Sequence, residues 1–61
     1  MKQIEAFKTG DRVTHVRLGD GVVIGGEPDH VTVRYQDCTG IYNERWFELC
    51  PRFLFHTQPE R

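Results

Sequence analysis

The sequence predicts a small all-β fold, a five-stranded barrel with one short 3₁₀ turn before its last strand. Three observations predict it. No segment carries three turns of helical periodicity. Short runs rich in β-branched residues recur at spacings of about ten residues. Glycine-bearing turns separate those runs. The chain has 61 residues, and a domain of that size buries only about 60% of the surface its unfolded chain exposes. Curling the sheet concentrates the few large apolar residues in one core and removes exposed edges.

The elements follow in order. Residues 1–8 are an N-terminal arm, where Ile4 and Phe7 suit one helical turn or an extended segment with two anchors. Alone, so short a segment cannot hold a helix. Lys8-Thr9-Gly10-Asp11 reads as a turn, and the barrel is expected over residues 9–56. Residues 12–16, RVTHV, form a first strand with Val13 and His15 on one side. Leu18-Gly19-Asp20-Gly21 reads as a second turn, with residues 22–24, VVI, as the next strand core. Residues 25–29, GGEPD, are a loop. Residues 30–36, HVTVRYQ, alternate cleanly: Val31, Val33 and Tyr35 face one way and Thr32, Arg34 and Gln36 the other. Residues 41–44, IYNE, are a fourth strand. Residues 45–49, RWFEL, are a turn of 3₁₀ helix, and residues 52–55, RFLF, are a closing strand or an apolar tab for another subunit. Residues 57–61 are a polar, frayed tail. The expected core is Val13, Val23, Val31, Val33, Ile41 and Leu49.

Composition limits the function classes. The formal net charge is −1, with acids and bases mixed along the chain. A strongly basic face that would neutralise many phosphates is therefore not expected, which leaves local basic spots at Arg12 and Arg17 or at Arg45 and Arg52. The opening residues lack the apolar run of a secretory signal. No stretch approaches the roughly 20 apolar residues of a membrane span. A soluble, cytoplasmic protein is the expectation. Cys38 and Cys50 can make at most one bridge, so both are read as reduced thiols. The cysteines and histidines show no CxxC or HxxxH pairing, so neither metal nor other cofactor is expected.

The glycines raise the question of phosphate binding. A phosphate-gripping glycine loop lies between a strand and a long helix. Here Val22-Val23-Ile24 and another turn follow, and no GK[ST] is present. Gly19 and Gly21 are therefore read as letting the chain reverse tightly and cross the barrel.

The order G-D-x-V-x-H-x-x-x-G-x-G-x-V is present as Gly10, Asp11, Val13, His15, Gly19, Gly21 and Val23, with an alternating V-x-V-x-Y strand after it. Over residues 7–51 this resembles the SH3-like barrels of the Tudor and KOW type. The closest resemblance is to the Tudor-like domain at the C-terminus of UvrD/PcrA-type helicases, and more distantly to the N-terminal domain of CarD-type transcription regulators. The resemblance implies a binding module with a protein partner in transcription or DNA processing, of the RNA polymerase type; from its small size the chain is expected to be a bacterial or phage product. Nucleic-acid binding is the alternative, since KOW members contact RNA. Some SH3-like barrels assemble a shared catalytic pore, as in plasmid-type trimethoprim-resistant dihydrofolate reductase, but that motif is not visible here.

Seven aromatics exceed what one small core buries well, so some are expected at a surface. One of Trp46 and Phe47 is expected to plug a barrel end. The partner-binding candidates are Arg17, Arg34, Tyr35, Tyr42, Arg45 and Trp46. The nucleic-acid alternative instead requires Arg12, Arg17, Arg34 and Arg45 on one face with an aromatic. No nucleophile and orienting carboxylate accompany His15, so no enzyme is expected. His15 is read as a structural group bonded to a turn carbonyl, and Asp11 and Asp20 as backbone caps. A homodimer would help so small a core.

Overall fold

The computed structural model describes residues 3–26 and 29–57. Five antiparallel strands, β1 (Arg12–His15), β2 (Gly19–Gly25), β3 (His30–Tyr35), β4 (Thr39–Asn43) and β5 (Leu54–His56), form one sheet in the spatial order β4-β3-β2-β1-β5. The sheet curls into a half-barrel, an arrangement consistent with a small all-β, SH3-like fold. The curling leaves β4 and β5 as edges. The helix α1 (Glu44–Leu49) connects them and packs against β4 and the N-terminal 3₁₀ turn, Gln3–Ala6.

Strand register explains what is inside. Directly opposed residues on neighbouring strands share a face. One inner row runs Val13, Gly21, Tyr35, and another runs Val23, Val33, Gly40. Val31 opposes Tyr42 on the same face. Val13 and Val33 are fully buried, and Val23 and Val31 nearly so. Two expected core residues are corrected. Ile41 opposes Thr32 on the outer face and is 63% exposed, so its neighbour Tyr42 takes the inner position. Leu49 is 71% exposed, because a six-residue helix buries one face only and that face carries Phe47.

The helix is α rather than the expected 3₁₀. Asn43 caps it, its Oδ1 accepting from the Trp46 N–H at 3.1 Å. The Cys50 N–H donates to the Trp46 carbonyl, four residues back, at 2.8 Å. The second turn is also shifted. The β1–β2 hairpin reverses over residues 16–18, and Gly19 and Asp20 already belong to β2. Gly19 has φ +86, the left-handed conformation that commonly closes a three-residue hairpin loop. Gly21 instead supplies close approach within the sheet, since a Cβ there would lie 2.7 Å from Tyr35 and 2.8 Å from Val33.

The arm docks on the barrel. Ile4 is buried and Phe7 stacks on His56 with ring centroids 4.8 Å apart. At the other end Thr57 is tied in, not frayed, its N–H donating to the Arg12 carbonyl at 2.9 Å. The remainder of the expected tail, 58–61, and positions 27–28 of the expected loop lie outside the described residues. Within the apolar run near the end, Phe53 and Leu54 are buried and Phe55 is half exposed on the last strand.

Candidate functional site

The hairpin and the segment after α1 approach each other and leave an open groove of about 670 Å³. Val16 and Arg17 of the hairpin form one wall. Trp46 of α1, with Cys50, Pro51 and Arg52 of the following turn, forms the other. His15 and Phe53 line the floor. Both walls are fixed by backbone geometry. The Val16 N–H donates to the Phe53 carbonyl at 2.9 Å, joining hairpin to floor. The Phe53 N–H donates to the Cys50 carbonyl at 3.2 Å, closing the turn.

The floor is built on aromatic contacts. Phe53 lies 4.9 Å from Tyr42, 4.9 Å from Phe47, 5.3 Å from Trp46 and 5.4 Å from His15, measured between ring centroids. Phe47 plugs the core, while Trp46 leans on this cluster and stays 43% exposed.

His15 is a structural residue, but by a different bond from the one expected. Its Nδ1 accepts from the backbone N–H groups of Arg17, at 2.9 Å, and Leu18, at 3.2 Å. It therefore caps the hairpin through amides, not through a carbonyl. With Nδ1 as acceptor, the neutral ring carries its proton on Nε2. Burial, and secondarily the charge of Arg17, hold the imidazole below its ordinary pKa of 6.5. The fold thus favours the neutral ring. That contribution is complete above pH 6.5 and is lost as the pH falls below it towards the folded-state value. Urea melts are expected to show stability dropping on acidification through this window. His15→Asn, whose Oδ1 can still accept from the loop amides, is expected to flatten that slope.

The acidic residues divide. Asp11 caps backbone as expected, accepting from the Lys8 N–H at 2.9 Å. That bond first, and then the hydrogen bond to His56, hold its carboxyl below the ordinary value of 3.8. Asp20 instead accepts from the Thr14 hydroxyl across the hairpin at 2.9 Å, because it sits within β2.

The proposed partner-binding residues are not one surface. Tyr35 and Tyr42 are each 5% exposed, their hydroxyls hydrogen-bonded to each other at 2.8 Å inside the core. They are corrected from surface groups to core groups. The strict alternation of β3 turns Tyr35 inward beside Val31 and Val33. Burial, with the Tyr42 bond second, raises the Tyr35 phenol far above its ordinary range. Arg34 lies on the outer sheet face, separated from Arg12 by Val22. Arg45 is exposed on α1. Only Arg17 and Trp46 of the six line the groove. Sequence reasoning missed Arg52, Pro51 and Val16 as groove residues. Their only signal was the proline after a short helical turn, which marks a chain reversal and not what faces it.

Cys38 and Cys50 are free and exposed. Among the described residues no three His, Cys, Asp or Glu side chains converge as a metal site. No helix among them is long and apolar enough to cross a membrane. Compared with protein-family models, curated proteins and solved structures, the chain has no significant match.

Proposed function

We propose that this chain is a small non-catalytic binding module that docks a partner protein in the groove between the β1–β2 hairpin and the turn after α1. One observation carries the reading: a half-exposed Trp46 stands over an open apolar groove whose floor is the core residue Phe53. Large aromatics held rigidly beside apolar walls are the commonest binding anchors. Among the described residues the only charged side chains lining the groove are Arg17 and Arg52, so the partner segment presents an apolar side chain and negative charge. The resemblance to Tudor-like and CarD-type domains favours a partner in bacterial transcription or DNA processing, with RNA polymerase the first to test. The nucleic-acid alternative is disfavoured because Arg12, Arg17, Arg34 and Arg45 are spread over the outer sheet face, the hairpin and the helix.

The test is comparative capture from bacterial lysate with wild-type and Trp46→Ala baits of matched circular dichroism. A partner held by wild type and weakened about thirtyfold or more by the substitution is expected, the scale of an aromatic anchor. Equal capture by both baits, or retardation of nucleic acid at low salt that Trp46→Ala leaves intact, would sink the reading.

A further inference from the structure

We propose that the groove recognises a carboxylate, docked on the Nε2–H of His15 between Arg17 and Arg52, beside an apolar side chain that rests on Trp46. The proposal deepens the docking reading above and rests on it.

His15 is only 8% exposed, yet among the described residues only one of its two ring nitrogens is engaged. Nδ1 is engaged by two loop amides. Nε2 has no partner among the described residues, while none of their buried side-chain polar atoms lacks one. Nε2 therefore reaches solvent. The rings of Tyr35, Tyr42 and Phe53 pack around the imidazole at 5.4 to 5.9 Å between centroids, and His15 is among the residues that line the groove. The loop amides also settle its chemistry. Because both donate to Nδ1, Nε2 is locked as a donor and cannot accept a ligand's proton. A ligand atom placed there must be an acceptor.

Charge selects among acceptors. Among the described residues, two guanidinium groups line the groove and no carboxylate does. Neither arginine has an ion-pair partner among the described residues. A carboxylate satisfies a fixed N–H donor and flanking arginines together, and charge-assisted bonds of this kind are about twice as strong as neutral ones. The apolar wall at Trp46 and Pro51 then takes the adjoining hydrocarbon. An aspartate or glutamate side chain of a partner protein, next to an aromatic or aliphatic residue, fits that description.

The probes are 3-phenylpropionate and its uncharged isostere 3-phenylpropionamide, titrated into the intact ¹⁵N-labelled chain by NMR. The carboxylate is expected to bind at about millimolar affinity. It should shift the Trp46 indole N–H, the amides of residues 16–18 and the His15 Nε2 resonance, with the amide at least about fivefold weaker. Arg17→Gln with Arg52→Gln, both exposed positions, should erase most of that preference. Equal binding of the two probes overturns the carboxylate proposal and leaves the docking groove standing. Absence of groove shifts with either probe overturns both. His15→Asn should remove the preference while retaining the hairpin cap. Should that variant fail to fold, the wild-type probe pair still decides.

Discussion

Phe53→Ala is expected to leave the chain largely unfolded at room temperature. Phe53 is 4% exposed and touches the rings of four other residues. Removing a buried phenyl typically costs about 3–5 kcal/mol, because the cavity collapses only in part. A single core in a chain this short rarely supplies more than about 3–5 kcal/mol in total. The substitution also withdraws the floor of the groove. Far-UV circular dichroism and urea melts check it, with Phe55→Ala as the control. Phe55, two residues further on in β5, is 46% exposed on the outer side of the sheet, and losing it should cost about 1 kcal/mol or less. A Phe53→Ala protein that melts cooperatively within about 1 kcal/mol of wild type would mean that the aromatic cluster does not hold the half-barrel shut.

Gly21 should prove the least replaceable glycine of the first hairpin. A Cβ at that position would meet Tyr35 Cδ1 at 2.7 Å, Val33 Cγ1 at 2.8 Å and the Arg34 carbonyl oxygen at 2.9 Å. The last is backbone of the paired strand, so it cannot swing aside without breaking the register. Overpacking of this kind costs about 1–3 kcal/mol for a methyl, and Gly21→Val should abolish the fold. Gly19→Ala meets nothing within 4 Å, but its φ of +86 is strained for an alanine. That strain is worth about 1–2 kcal/mol. The expected order of melting midpoints is therefore wild type, Gly19→Ala, Gly21→Ala, with Gly21→Val unfolded. Reversal of Gly19→Ala and Gly21→Ala would show that hairpin conformation, not the approach of Tyr35, is what the glycines provide.

These two glycines also show how far the fold was legible. Both were recognisable as structural because no helix or lysine follows them to grip a phosphate. Their roles differ for a reason invisible in one dimension: Gly19 ends a loop, while Gly21 faces an aromatic on the neighbouring strand. The alternation of β3 placed Val31, Val33 and Tyr35 together correctly. It also implied that Tyr35 is inside, an implication set aside in favour of the general preference of tyrosine for surfaces. In β4 the parity was ambiguous, since Ile41 and Tyr42 are both good inner residues. Pairing of Tyr42 with Val31 resolved it. Of the groove, Trp46 and Arg17 were legible as exposed recognition types. Arg52 and Pro51 were not, because their place beside the hairpin follows from β1–β5 pairing and the Val16–Phe53 hydrogen bond, which joins residues 37 apart in the chain.

By itself the sequence determined the all-β class, the approximate position of the first four strands and the alternation of β3. Those follow from local periodicity and turn chemistry, which act over a few residues. Tertiary structure alone decided which neighbour of each ambiguous pair faces inward, which nitrogen of His15 the loop amides engage, and which side chains share the groove. Each depends on strand register and on contacts between distant segments, and one residue of slip would exchange the two faces of the sheet.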